Sequence, residues 1–136
     1  MKVLQTVDVI HMYNVWDKVK HFFKDSDRSE LDEHTIEHFK LNVLNRSYNL
    51  LIVVENDIIL GAFLMYFMNT PTHRVLNIAA AGGKDIVVKE VTDQIEHFAR
   101  SQGATKIKAQ AKDAQARLYK MVMGLEKTTN VVEKLI

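Results

Sequence analysis

The order of strand-like and helix-like segments in this sequence predicts a single α/β domain. Apolar residues recur every three or four positions in several segments, which is typical of amphipathic helices. Two β-branched segments flank a turn dipeptide, which is typical of an antiparallel hairpin. A further apolar segment runs through two glycines into the most regular helical pattern of the chain. The 136 residues match the usual length of one domain, so we expect one domain over 1–136.

The composition excludes several classes of protein. The 47% hydrophobic and 26% charged fractions are those of an ordinary globular protein. A net charge of +1 gives no field that would gather nucleic acid or an anionic membrane, so neither is an expected partner. The absence of cysteine excludes disulfides, thiolate metal sites and cysteine nucleophiles. Because Lys2–Asp8 turns polar too early for a signal peptide, we expect a cytoplasmic location.

The first part of the chain predicts a strand and two helices. Alternating apolar residues predict a strand over Lys2–Val9. The apolar spacing of Met12–Phe23 predicts a helix, with Trp16 on the stripe that faces the sheet. A second helix is predicted over Asp32–Asn45, with a broad apolar stripe that includes Leu41 and Leu44.

A hairpin is predicted next. Leu50–Glu55 and Ile58–Asn69 are its strands, Asn56-Asp57 is its turn, and Gly61 marks a bulge. The apolar run Ile58–Met68 is about half of the roughly 20 residues that a membrane helix needs, so we interpret it as a buried strand. Its methionines, Met65 and Met68, are expected to fill the core.

The second part of the chain predicts a strand over Arg74–Ala80 and a long helix that Asp85 caps and Gly103 ends. The predicted strand Thr105–Ala111, the helix Asp113–Met123 and a last strand Val131–Ile136 follow. The predicted order is therefore β α α β β β α β α β, a mixed arrangement.

The glycine pair before the long helix allows two interpretations. Backbone N–H groups without side chains beside them approach phosphate oxygens easily, and a helix N-terminus adds about half a positive charge. Gly82, Gly83, Lys84 and Asp85 have the order of such an anion site. The alternative is a tight turn that needs glycine conformations and binds nothing. The spacing matches neither a Walker loop nor a dinucleotide fingerprint, which disfavours nucleotide hydrolysis.

The whole pattern resembles the GNAT superfamily of N-acetyltransferases. Ala116–Glu126, with its tyrosine followed by Gly-Leu-Glu, looks like the family's entry into its last strand, and Ile95–Ala104 is similar to its long-helix ending. The resemblance implies a mixed, mostly antiparallel central sheet flanked by helices on both faces. It also implies a splay between the strands Arg74–Ala80 and Thr105–Ala111, where a cofactor inserts.

The resemblance implies acetyl-CoA as the cofactor and transfer of its acetyl group to an amine, by direct attack of the neutral amine on the thioester. Its pyrophosphate maps onto the backbone of Gly82, Gly83, Lys84 and Asp85, and its pantetheine onto Asn77, Ile78 and Ala80. Tyr119 takes the place of the catalytic tyrosine that protonates the departing thiolate, which a phenol with a reference pKa near 10 can do. Without the resemblance, the alternative interpretation of Tyr119 is a tyrosine buried in the core.

Departures from the family keep a second function open. The phosphate motif begins with Gln or Arg in the family, and Ala79 stands in that place here. No general base is assigned, with Glu55, His73 or a water chain as candidates. The degenerate loop looks more like the GNAT-like proteins of tailed phages, some of which are virion or ejection components. The alternative is therefore a noncatalytic interaction module, with a protein partner or a homo-oligomer and a host-cytoplasm or virion location.

Two further patterns have simpler interpretations. His34-Thr35-Ile36-Glu37-His38 matches a zinc pattern, but such sites need a third ligand, so an exposed helix face is the preferred interpretation and no metal is predicted. A basic patch is predicted at the strand Thr105–Ala111 and beyond it. Lysine protection of an exposed strand edge explains it, with the 3′-phosphate of CoA or an acidic partner as alternatives. Its members are Lys106, Lys108, Lys112, Arg117 and Lys120.

Overall fold

A computed structural model describes residues 1–23, 36–109, 113–126 and residue 134. The strands are β1 Val3–Val7, β2 Asn49–Glu55, β3 Ile58–Asn69, β4 Arg74–Gly83 and β5 Lys106–Ala109. The helices are α1 Met12–Val19, α2 Ile36–Leu44, α3 Lys89–Ser101 and α4 Asp113–Met123, and short 3-10 helices occupy Val9–His11 and Lys20–Phe23. The predicted order is confirmed from β1 to α4. The predicted strand Val131–Ile136 and the predicted helix start at Asp32 lie outside the described residues.

The sheet has the strand order β1-β2-β3-β4-β5. Strands β1 to β4 pair antiparallel, and only the β4–β5 pair among the described strands is parallel. A parallel pair needs a crossover, which α3 supplies between β4 and β5. The predicted α/β fold with a mixed, mostly antiparallel sheet is therefore confirmed.

Two hydrophobic cores cover the two faces of the sheet. The α3 core contains residues of α3 and α4 packed on the sheet, among them Ile95, Tyr119, Met65 and Ile78. The α1 core contains residues of α1 and α2 on the opposite face, among them Trp16, Val19, Phe39, Val43, Leu64 and Ala80. Side chains alternate between these cores along each strand because successive residues of a strand point to opposite faces. The predicted helices on both faces of the sheet are thereby confirmed.

The β2–β3 hairpin forms as predicted. Asn56 and Asp57 have φ values of 51° and 63°, the left-handed pair that a two-residue hairpin turn requires. Val53 pairs with Gly61 and Val54 with Ile59, so Leu60 is the additional residue of a bulge beside Gly61. The predicted bulge is thus confirmed next to the glycine that signalled it.

The structure tests three predictions about burial, which concern α1, α2 and β3. Trp16 is buried in the α1 core as predicted. The broad stripe predicted for α2 is wrong, since Leu41 is 58% and Leu44 42% exposed while Phe39 and Val43 are buried. Met65 fills the core as predicted, but Met68 is exposed because it lies near the end of β3, beyond the helices that cover the sheet.

Candidate functional site

A β-bulge divides β4 into two halves. Leu64 pairs with Ala80 and Met65 with Ile78, so Ala79 is an additional residue of β4 without a partner in the β3–β4 register. A bulge bends its strand and increases the local twist. The half beyond the bulge consists of alanine and glycine from Ala79 to Gly83, which leaves its backbone open to close approach.

Strand β5 pairs with the first half of β4 only, within the described residues. The register runs from Val75 opposite Lys106 to Ile78 opposite Ala109, where the described part of β5 ends. Strand β4 continues to Gly83. The bulge at Ala79 thus lies directly after the last β4 residue that pairs with the described part of β5.

The two glycines at the end of β4 have a packing explanation. Gly82 pairs with Ala62 and Gly83 with Gly61, so both lie within the sheet. A Cβ atom on Gly82 would lie 1.7 Å from the carbonyl oxygen of Phe22, and one on Gly83 would lie 2.5 Å from the Cα atom of Gly61. Glycine is required here because backbone segments approach too closely for any side chain.

The predicted start of the long helix is wrong. Helix α3 begins at Lys89, with Val88 as its N-cap, whereas Asp85 was the predicted cap. Asp85 has a φ of 56° and lies in the segment that joins β4 to α3. The glycine pair therefore ends a strand rather than opening a helix, because Gly82 and Gly83 continue the pairing with β3 that the sequence interpretation ended at Ala80.

A run of backbone N–H groups leads into α3. In the described part of the chain, the amides from Asp85 to Glu90 have no hydrogen-bond partner, and the side chain of Val88 makes no capping bond. The first amides with partners are those of Val91 and Thr92, which both donate to the carbonyl oxygen of Val88, at 3.0 and 2.9 Å. Unpaired amides at the positive end of a helix dipole form an anion-binding arrangement. We call the segment Asp85–Glu90 the amide run.

Buried apolar side chains hold the amide run in place. Ile86 and Val87 belong to the α3 core and are 3% and 8% exposed. Their burial fixes the backbone without using its N–H groups. The sequence interpretation missed the run because Val87 and Val88 continue the apolar spacing of α3, so the helical pattern begins before the helix does.

The start of β1 fastens to the amide run and to the first turns of α3. The Nζ of Lys2 donates to the carbonyl oxygen of Asp85 at 3.0 Å, and its backbone N–H donates to Oε1 of Glu90 at 2.8 Å. The side chain of Gln94 accepts from the N–H of Leu4 and donates to the carbonyl oxygen of Lys2. An ammonium group thus lies beside the unpaired amides, where it raises the attraction for an anion. Nothing in the sequence signalled this role of Lys2.

Tyr119 is 2% exposed in α4 and belongs to the α3 core together with Ile78. Helix α4 is followed by Gly124, whose φ of 72° allows its N–H to bond the carbonyl oxygen of Lys120 at 3.0 Å. The structure therefore places Tyr119 in one core cluster with Ile78, on the face of β4 that α3 covers.

The candidate general bases occupy other places. His73 precedes β4 and its Nδ1 lies 2.9 Å from Oγ1 of Thr105. Strand β4 has 10 residues, so at about 3.3 Å per residue His73 lies about 30 Å from Gly83. Glu55 ends β2, and its Oε2 lies 3.5 Å from the N-terminal amine of Met1. Neither of these two contacts involves a residue of β4, of α4 or of the amide run.

The zinc-like pattern and the basic patch are described only in part. Glu37 and His38 lie exposed on α2, while His34 lies outside the described residues. Where the chain is described, no group of three or more His, Asp or Glu residues could hold a metal ion. Lys106 and Lys108 are exposed on β5, and Lys112 lies outside the described residues.

An opening of about 370 Å³ lies between the start of α1 and the end of α2. It is lined by Val7, Asp8, Val9, Ile10, Val43, Arg46, Tyr48 and Asn49. None of the described helices is long enough and apolar enough to span a bilayer.

Comparison with known proteins finds the fold among acetyltransferases. No protein-family profile and no curated protein matches the chain. Solved structures do match over nearly the full length. A predicted acetyltransferase from Clostridium acetobutylicum, crystallised with acetyl-CoA, shares 18% identity and a TM-score of 0.67, over 99% of this chain and 96% of that one.

Two further matches have similar scores. A ribosomal-protein-alanine N-acetyltransferase from Brucella melitensis biovar Abortus 2308 shares 10% identity and a TM-score of 0.66, over 100% of this chain and 98% of that one. An aminoglycoside acetyltransferase from an uncultured soil sample, in complex with sisomicin, shares 10% identity and a TM-score of 0.69, over 99% and 97% of the two chains. The chain therefore has the fold of the GNAT acetyltransferases.

Proposed function

We propose that this protein is an acetyl-CoA-dependent N-acetyltransferase. The observation that carries the proposal is the amide run at the uncapped start of α3, directly after the bulged strand β4. It lies in a fold shared with an acetyltransferase crystallised with acetyl-CoA. Six consecutive backbone donors, Asp85 to Glu90, have no partner in the described structure, which favours an anion-binding role for this segment.

Acetyl-CoA fits the donors present. Its pyrophosphate would accept hydrogen bonds from the amide run, and Lys2 would add a positive charge beside it. The site extends the predicted residues Gly82, Gly83, Lys84 and Asp85 toward α3. In this proposal Gly82 and Gly83 end β4 without side chains, Lys84 follows them, and Asp85 is the first of the donors.

The reactive end of acetyl-CoA would lie along the second half of β4. The resemblance to GNAT enzymes assigns its pantetheine to the strand at Asn77, Ile78 and Ala80, beside the bulge at Ala79. When bound, acetyl-CoA supplies the acetyl group as a reactive thioester. The backbone of β4 would orient the carbonyl of that thioester. As the amine nitrogen forms its bond to the acetyl carbon and the C–S bond breaks, the phenol of Tyr119 would donate a proton to the thiolate, and the proton that the amine loses would return to the phenol through water.

The acceptor is an amine in this proposal. The closer resemblance to tailed-phage proteins and the cytoplasmic location stay predictions from the sequence. One structural neighbour is a complex with sisomicin, and that molecule is not assigned to this chain.

Thermal unfolding with and without acetyl-CoA tests the proposed function. A ligand at 100 times its Kd stabilises the native state by about 2.7 kcal/mol, which shifts Tm by several degrees in a domain of this size. We expect that shift with acetyl-CoA and with CoA, and not with pantetheine, which lacks the pyrophosphate. No shift at millimolar acetyl-CoA would contradict the proposal and favour the interaction module.

A further inference from the structure

Asn77 is a buried polar residue whose amide has an unsatisfied donor. It is 5% exposed in the middle of β4, and its Nδ2 has no hydrogen-bond partner within the described structure. Its neighbours Leu76 and Ile78 belong to the α3 core, so the side chain of Asn77 lies on the opposite face of the sheet, toward α1 and α2. This orientation separates Asn77 from Tyr119, which lies in the α3 core.

The residues on either side of Asn77 in the sheet define its surroundings. Tyr66 is its partner on β3, and Lys108 is its partner on β5. Ile107 and Ala109 pack against the α3 core, so Lys108 between them shares the face of Asn77. Lys108 is exposed and forms no ion pair with the described residues.

Tyr66, Asn77 and Lys108 form a row across three strands, and Tyr66 connects this row to the opening at the end of α2. The ring of Tyr66 stacks on Tyr48, with centroids 5.3 Å apart and planes 18° apart. Tyr48 in turn lines the opening of about 370 Å³. Tyr66 therefore lies between Tyr48, which lines the opening, and Asn77, its partner on β4.

We propose that Asn77 and Lys108 bind a carboxylate of the acceptor, so that the substrate is a small amine that carries a carboxylate. This inference rests on the proposed acetyltransferase function. A carboxylate has two oxygens, of which one accepts from Nδ2 of Asn77 and the other from the ammonium of Lys108. Polycationic acceptors are disfavoured because their charge would face the ammonium of Lys108.

The unsatisfied Nδ2 of Asn77 destabilises the folded protein, and a bound ligand would remove this penalty. A buried donor without a partner destabilises the folded state, and bulk water does not reach Nδ2 of Asn77. A ligand group that reaches this donor, with a small displacement of the side chains around it, would satisfy it. An apolar side chain at this position is therefore expected to raise Tm by a few degrees while it removes the binding function.

The test compares acids with their amides. The probes are the standard L-amino acids and the same compounds with their carboxylate converted to a carboxamide, assayed with acetyl-CoA by release of the CoA thiol. We expect at least one acid to be acetylated with a kcat/KM at least about tenfold above that of its amide, which is the size of one charge-assisted hydrogen bond. The same acid is expected to raise the Tm of the CoA-bound protein.

Three variants assign the effect to residues. Lys108→Ala should raise KM for the acid about tenfold, and Asn77→Val should raise that KM and Tm together. Lys106→Ala is the matched control, because Lys106 is an exposed lysine of the same strand placed opposite Val75. Lys108→Ala and Lys106→Ala should keep the Tm shift with acetyl-CoA. Equal KM values for Lys108→Ala and Lys106→Ala would overturn the inference.

The failures of the two proposals are distinguishable. If acetyl-CoA shifts Tm but no acid is preferred to its amide in either assay, the carboxylate inference alone is wrong. If Asn77→Val keeps its fold and loses the acetyl-CoA shift, Asn77 serves the cofactor and the inference is wrong as well. If acetyl-CoA gives no shift with the unmodified protein, the proposed function fails and this inference fails with it.

Discussion

The Nζ of Lys2 donates a hydrogen bond of 3.0 Å to the carbonyl oxygen of Asp85, across 83 positions of sequence. The bond joins the start of β1 to the segment that precedes α3. It places a positive charge beside backbone N–H groups that have no partners among the described residues. In the mapping that the resemblance implies, Ala79 stands where the family has Gln or Arg, and in our proposal Lys2 supplies a positive charge from the segment before β1.

Replacing Lys2 by alanine should weaken acetyl-CoA binding about three- to tenfold, because an exposed charge near a phosphate contributes about 1 kcal/mol. The difference should shrink as ionic strength rises, since salt screens exposed charges. Calorimetric titration at low and high salt measures both effects. Lys18→Ala, an exposed lysine on α1, is the control and should bind normally. Equal affinities for the two variants would show that Lys2 has no part in binding.

Replacing Gly82 by alanine should destabilise the fold by about 2 kcal/mol or more, because the added Cβ would meet the carbonyl of Phe22 at 1.7 Å. Gly124→Ala is the comparison, since its Cβ would meet no atom within 4 Å and its cost comes only from a φ of 72°. Urea unfolding measures the free energy of unfolding of both variants. A smaller loss for Gly82→Ala than for Gly124→Ala would contradict the packing explanation.

Replacing Tyr119 by phenylalanine should lower kcat by about 10²- to 10³-fold, if its hydroxyl donates the proton to the thiolate. The affinity for acetyl-CoA should stay within about twofold, because the ring keeps its place in the α3 core. Steady-state kinetics and calorimetry measure the two quantities. The control variant is Tyr13→Phe. Tyr13 is 90% exposed on α1, so this variant should retain full activity. An unchanged kcat for Tyr119→Phe would remove the residue from the mechanism.

Replacing Asp57 by glycine should stabilise the fold by about 0.5–1 kcal/mol. Asp57 has a φ of 63° in the second position of the hairpin turn, where glycine has no steric cost. Thermal unfolding measures the change. Asn69→Gly, in regular β3, is the contrasting variant and should destabilise. A lower Tm for Asp57→Gly would mean that the aspartate makes a local contribution beyond its backbone conformation.

The sequence predicted the elements well because their signals are local. The hairpin turn Asn56-Asp57 and the amphipathic spacing of Val91 and Ile95 depend on neighbours within a few positions. The start of α3 was misplaced because Val87 is buried in the same core as Val91 although its backbone is not helical. Burial produces the same apolar spacing before and after a helix begins.

The site was predictable only in part, because its features depend on distant contacts. Gly82 was assigned to phosphate binding, yet the nearest atom to its missing Cβ belongs to Phe22, on a segment sixty positions earlier. The proximity of Lys2 to Asp85 depends on how β1 packs beside α3. Resemblance to GNAT enzymes directed attention to the segment around Gly82–Asp85, and the structure was required to find which backbone groups there have no partner among the described residues.

The claim that the amide run binds the pyrophosphate is tested most directly at Lys89, the first residue of α3. Proline is tolerated at this helix position, and Val88 before it has φ −128° and ψ 157°, which proline accepts in a preceding residue. Lys89→Pro removes one N–H donor, and Lys89→Ala removes the same side chain but keeps the donor. Circular dichroism and Tm would establish that both variants fold.

The measurement is the Kd of CoA for the two variants by isothermal titration. A hydrogen bond to a charged phosphate contributes about 1.5–3 kcal/mol, so Lys89→Pro should bind at least about tenfold more weakly than Lys89→Ala. That difference is the result this account predicts. Equal Kd values for two folded variants would contradict it.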